Sequence, residues 1–161
     1  MTERRPRRIG HKGAHAIEHG NTLESFRAGV AHGAEMIELD VLRLRDGAPE
    51  LPASERSPLV IAHDWDDAAS RDPLTVAEAL EAFCEPPLDE VEIDLDLKLP
   101  GREEELVACV EAAGLVERVM VSTMSIESLS AIRALEPRLR RGKLHREFLS
   151  LAFQDGDLLL T

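Results

Sequence analysis

The sequence predicts an α/β protein with a TIM-barrel-like (β/α) fold that is incomplete, with about five to six of the eight strands. Three observations lead there. Short apolar runs of strand length alternate with segments of helical period, as βα units do. Two strand-like segments, MIELDV and VEIDLDLK, carry acids on the face that a barrel turns inward. The 161 residues also fall short of the ~250 typical of a closed eightfold barrel. One domain over 1–161 is expected, with no internal repeat and no long linker.

The elements follow in order. Ile9-Gly10 is a short apolar pair before the loop HKGAHAIEHGNT, and Asn21 is placed to cap a helix through TLESFRAGVAHG. Glu24 stands three residues after Asn21, as in a capping box, and Gly33 is a natural stop. Glu35 to Leu44 alternates with period two and reads as a strand. Asp46-Gly47 marks a turn, and APELPASERS is polar, proline-bearing loop. Pro58 to Asp64 reads as a buried strand. Thr75 and Glu78 form a capping box for a helix to about Cys84, broken by EPP. Val91 to Lys98 alternates strictly. Glu103 to Ala113 is amphipathic and stopped by Gly114; Arg118 to Ser122 is a strand; Ser125 to Leu135 is a helix ending before Pro137; Leu139 to Leu144 starts one more strand. HREFLSLAFQDGDLLLT has a helix-like start, a DG turn and an apolar end, and 143–161 reads as a divergent tail.

The formal net charge is −12, from 31 Asp+Glu against 19 Lys+Arg. That opposes general binding to nucleic acid or anionic membranes, which need basic surface. Cys84 and Cys109 show no metal spacing and read as buried thiols. No apolar region follows MTERRPRR, and no run of about 18 apolar residues exists, so neither a secretory leader nor a membrane span is expected. A cytoplasmic location fits.

The acids carry the chemistry. In MIELDV, Glu38 and Asp40 share one face; in VEIDLDLK, Glu92, Asp94, Asp96 and Lys98 do. Side chains at i and i+2 stand about 6.6 Å apart, so a pair can lean onto one ion. A two-faced antiparallel sheet would explain the same alternation by sending the acids to solvent. In a parallel barrel they point inward, which is costly without a partner. A hard divalent cation, Mg²⁺ or Ca²⁺, resolves this through carboxylate oxygens. Glu38, Asp40 and Asp96 are therefore the candidate metal ligands, with Asp94 in reserve and Lys98 offsetting charge. His11 closes the first strand and His63 the third, at the strand ends where barrel chemistry sits. Both suit acid-base catalysis. His32 and His145 read as surface residues, and His15 and His19 stay open.

HKG, GNTLESFRAGVAHGAEMIELDV, DG, LVIAHD, DLDLK and VSTMSIESLSAIRALEPRLR, in this order, resemble the glycerophosphodiester phosphodiesterases. That family's pattern runs HRG, PENT, E-x-D-V, DG, V-x-H-D, E-x-K and S-F, and the resemblance covers 9–142. It implies a (β/α)₈ barrel and divalent-cation-dependent hydrolysis of glycerophosphodiesters to glycerol 3-phosphate and an alcohol, in lipid metabolism. By the resemblance, His11 and His63 are the acid-base pair, and Glu38, Asp40 and Asp96 hold the metal. Lys12 and Lys98 bind substrate, and Asn21 lies near the phosphate at a helix start.

Four departures stand out. Lys12 replaces an arginine, keeping charge but losing the bidentate fork. Gly20 replaces an acidic ligand, which Glu18 is placed to substitute. Asp96 is a methylene shorter than glutamate. Beyond Gly142 the family's later strands, one bearing a tryptophan, have no match; the single Trp is Trp65. Two alternatives follow: a non-catalytic truncated remnant of the fold, or another phospholipase-type phosphodiesterase on a similar barrel. Open barrel edges would favour homo-oligomers.

Overall fold

The computed structural model describes residues 7–52 and 55–144. Its centre is a six-stranded sheet. The strands are β1 (Ile9–His11), β2 (Met36–Leu42), β3 (Val60–Ile61), β4 (Glu92–Leu97), β5 (Val119–Thr123) and β6 (Arg140–Lys143). β1, β2, β4, β5 and β6 pair in that order and in parallel, each neighbour reached through a helical crossover. The α/β sheet of five to six strands expected from the alternation is what forms among the described residues.

Every residue of β2 is buried, acids included. The two-faced antiparallel alternative, with acids in solvent, is thereby excluded for this strand. One face is covered by helices: Ile37, Leu39 and Val41 of β2 and Ile93, Leu95 and Leu97 of β4 share a core with Phe26, Leu80, Phe83, Leu106 and Ile132. These come from α1 (Leu23–Ala31), α3 (Val76–Ala82) with its cap, α4 (Glu103–Ala112) and α5 (Ile126–Leu135). Phe26 and Phe83 meet at 5.6 Å between ring centroids. The other face carries Glu38, Asp40, Asp94 and Asp96, so strict alternation sorts the sheet into an apolar side and an ionisable side.

Several local expectations are corrected. Thr22, not Asn21, caps α1: its hydroxyl accepts from Ser25 N–H, and Ser25, not Glu24, completes the box. Asn21 instead lies at φ +61°, one residue too early for the cap. The third strand is shorter than Pro58–Asp64 and antiparallel to β2, pairing Val41 with Ile61 and Leu42 with Val60. It leaves the parallel order and lies across the C-terminal end of β2. A helix the sequence pattern did not yield, α2 (Trp65–Ser70), follows it, with Asp64 as cap. Asp46-Gly47 sits within a single 3-10 turn, Arg45–Gly47. The cysteines are not both buried: Cys84 is exposed and Cys109 half-buried. His145 and nearly all of the 143–161 tail lie outside the described residues.

The other boundaries agree closely. Thr75 and Glu78 form the capping box of α3, and Gly33 and Gly114 take positive φ after α1 and α4.

Candidate metal and acid-base site

Register builds the site. Glu38 pairs with Asp94, and Asp40 with Asp96, on adjacent parallel strands. Oxygen atoms of Glu38, Asp40 and Asp96 lie within 4.8 Å of one another, and all three residues are buried. Among the described residues this is the one cluster of metal-ligating type. Three hard oxygen donors in a buried concentration of negative charge fit a divalent cation of the Mg²⁺ or Ca²⁺ kind.

Two lysines meet the same charge. Lys98 Nζ lies 2.5 Å from Asp40 Oδ1 and also bonds Asp96. Lys12 Nζ is 3.7 Å from Asp40 Oδ2. The carboxylates divide accordingly. Burial pushes Asp40 up, but the Lys98 ammonium, the Asn21 hydrogen bond and Lys12 outweigh it and hold the carboxyl below its ordinary range. Burial raises Glu38 well above its ordinary value, and repulsion from Asp40 and Asp96 adds to this. Burial likewise raises Asp96 despite Lys98. Asp94, on the same face, is pushed up to about 7, chiefly by burial. Four carboxyls on this face meet two lysines, and burial with mutual repulsion disfavours the charged form of Glu38 and Asp94.

The first loop supplies the other groups. Gly13 stands at φ +77°, where a Cβ would come 2.4 Å from the Ser25 backbone, so glycine lets the loop press onto α1. Lys12 takes φ +53°; its N–H donates to Glu38 Oε2 at 2.9 Å, and its carbonyl accepts from Ser25 Oγ and from Asn21 N–H. Gly20 lies where a Cβ would meet Lys12 Cβ at 3.0 Å, so its lack of a side chain admits the folded lysine. Asn21 is buried; its Nδ2 donates to Asp40 Oδ2 at 2.8 Å, and its Oδ1 accepts from Asp40 N–H at 3.1 Å. The carboxamide of Asn21, which the resemblance sets near substrate phosphate, faces the Asp40 carboxylate.

His11 Nε2 is 3.8 Å from Glu38 Oε2. Burial, then Lys12, lowers its pKa to about 4, so the ring is neutral near pH 7. His15 packs edge-on against it at 5.0 Å between centroids, and the His15 ring Nδ1 lies 2.9 Å from the His11 carbonyl oxygen. His63 is about half exposed, with Nδ1 2.9 Å from Asp64 Oδ2, and its N–H donates to Asp67 Oδ2. Because Asp64 also accepts from Asp66 and Asp67 N–H, α2 is the element that aims His63. Glu18 is not in the acidic cluster. A cavity of about 360 Å³ opens beside Asp96 and Lys98, walled by Leu97, Pro100, Met124 and Leu144. Asp64 and Asp67, which hold His63, and His15 were not assigned roles from the sequence; the cap position of Asp64 before an acidic turn was the available signal for the first.

Comparison with known proteins bears on the fold. The family model described as Glycerophosphoryl diester phosphodiesterase family matches residues 10–51. A glycerophosphodiester phosphodiesterase from Agrobacterium tumefaciens is 19% identical, with a TM-score of 0.65, over 85% of this chain and 65% of that one. One from Parabacteroides distasonis is 18% identical, with a TM-score of 0.66, over 85% and 64%. An Oleispira antarctica phosphodiesterase, solved in complex with the product sn-glycerol-3-phosphate, is 20% identical, with a TM-score of 0.61, over 91% and 70%. Against the first of these structures the chain thus spans 65% of the other's length. The search of curated proteins gives no match.

Proposed function

We propose that this chain, which carries the N-terminal motif and the fold of the glycerophosphodiester phosphodiesterases, is a divalent-cation-assisted phosphodiester hydrolase acting on glycerophosphodiesters. The observation that carries this reading is the convergence of Glu38, Asp40 and Asp96 on one point, beside a neutral His11 and two lysines. The product-bound Oleispira antarctica phosphodiesterase of the same fold supports glycerol 3-phosphate as the product class.

The three carboxylates would hold Mg²⁺ or Ca²⁺. Bound there, the cation would polarise a phosphoryl oxygen and lower the pKa of an attacking hydroxyl or water. His11, neutral and near Glu38, is suited to accept a proton from the nucleophile. His63, on the solvent side and oriented by Asp64, is suited to give one to the leaving alkoxide. Lys12 and Lys98, both at the rim, provide positive charge for phosphate. Glycerophospholipid metabolism in the cytoplasm is the setting this reading implies; no described helix is long and apolar enough to cross a membrane.

The test is hydrolysis of glycerophosphocholine by purified protein with Mg²⁺, Ca²⁺ or Mn²⁺, read as glycerol 3-phosphate released. Activity is expected with at least one ion, and His11→Ala should lower it by about 10²–10⁴-fold. No turnover with any ion, or a fully active His11→Ala, refutes the proposal. A second reading, a cation or phosphate module without turnover, is favoured by one observation: Lys98 already compensates Asp40 at 2.5 Å. Ion binding without hydrolysis across a diester panel would select it.

A further inference from the structure

Asn21 holds an unusual position for a polar residue. It is 1% exposed and sits at φ +61°, a left-handed conformation that asparagine tolerates better than most residues. Its backbone is fixed at both ends: its N–H donates to the Lys12 carbonyl at 3.1 Å, and its carbonyl accepts from Arg71 at 3.4 Å. Helix capping does not explain it, because Thr22 fills that role.

The side chain meets Asp40 at two points. Strand β1 ends at His11, opposite Glu38, so Asp40 N–H lies beyond the reach of that strand's pairing. Asn21 Oδ1 takes this hydrogen bond, where an orphaned buried donor would be costly. Its Nδ2 binds Asp40 Oδ2. With that oxygen held, Oδ1 is the one turned toward Lys98, which bridges to Asp96. A carboxylate held at its backbone and at one oxygen cannot rotate freely about its last torsion.

We infer that Asn21 is a positioning residue of the cation site, whose carboxamide fixes the orientation of Asp40 relative to Glu38 and Asp96. This rests on the reading of those three carboxylates as ion ligands. The same residue joins the loop that leaves β1 at His11 and bears Lys12 to β2, so the acid-base group and the ion site share one anchor.

Glycine at this position separates the two roles, since it accepts positive φ and removes only the carboxamide. Calorimetric titration with Mg²⁺ and with Ca²⁺ would be run on the full chain and on Asn21→Gly and Asn21→Ser, with folding checked by circular dichroism. The expected result is at least tenfold weaker ion binding for Asn21→Gly in a folded protein, with Asn21→Ser, which restores one donor, intermediate. Folded variants that bind as tightly as the wild type overturn the inference and leave Asn21 as a turn residue. If the glycine variant does not fold, the serine variant decides by the same measure. A wild-type chain that binds neither ion overturns the ion-site reading, and this role with it; the two failures are distinguished by the wild-type titration.

Discussion

Replacing Asp40 by asparagine removes one charge and almost no volume, and it sets two large effects against each other. The ammonium groups of Lys98 and Lys12 lie 2.5 and 3.7 Å from its two oxygens. At an effective dielectric of about 20, Coulomb's law gives roughly 6–7 kcal/mol for the first and roughly 4–5 kcal/mol for the second. Asp40 itself is fully buried, and keeping an ionised carboxylate there costs several kcal/mol, which the variant recovers. Both lysine side chains are more than a fifth exposed, so each can turn its charge to water and much of the gross attraction is screened. The Asn21 bonds can largely persist, because an amide oxygen still accepts from Nδ2. A net loss of only about 1–3 kcal/mol is therefore expected, well below the gross sum. Cation affinity should fall far more steeply, by about 100-fold or about 2.7 kcal/mol, because a hard anionic donor is gone. Urea unfolding with a chelator present gives the first quantity, and calorimetric titration gives the second. A stability loss above about 5 kcal/mol would show that the lysines are locked ion-pair partners of the fold. Unchanged ion binding would show that Asp40 is not a ligand.

Ion binding should weaken as pH falls: burial raises the Glu38 carboxyl well above its ordinary range, so a proton competes with the ion for that ligand. Titrations in buffers of different ionisation enthalpy should register net proton release, and none would contradict the shifts. Arg102→Met removes a buried guanidinium that bonds the carbonyls of Gly47 and Ser57 and the Glu105 carboxylate. A loss of about 2–4 kcal/mol and faster proteolysis between Gly47 and Ser57 are expected, and an unchanged denaturation midpoint would refute that account. Gly13→Ala forces a Cβ against the Ser25 backbone at positive φ and should cost more than about 2 kcal/mol, read as a drop in melting temperature.

The parts legible in sequence are those where periodicity and burial agree. Glu38 and Asp40, and Asp94 and Asp96, were readable as one face because a strand's side chains alternate strictly, whatever the tertiary context. What the pattern lacked was direction. Nothing in PLVIAHD distinguishes a parallel strand from the short antiparallel one that forms, since pairing direction is decided by the chain around it. Asn and Thr are both good caps, and only the left-handed turn at Lys12 and Asn21 fixes Thr22 rather than Asn21 as the one that ends the loop. Helical amphipathicity locates a face, not the depth of each position on it, so the pattern does not separate the exposed Cys84 from the half-buried Cys109. The six residues of α2, WDDAAS, are too few to show a helical period.

Asp40 and Asp96 are register partners on neighbouring strands. Their backbones are therefore held at the spacing of one inter-strand hydrogen bond, about 4.8 Å, which is common to every β-sheet. Glu38, two residues along, is set back by a second fixed length, the strand repeat of about 6.6 Å. The mouth that an ion would meet is thus gauged by peptide geometry rather than by the pliancy of loops. Discrimination between a smaller and a larger ion then falls to the only adjustable parts of the gauge, the side-chain lengths. Asp96→Glu, longer by one methylene at an unmoved backbone, would retune that gauge without rebuilding it.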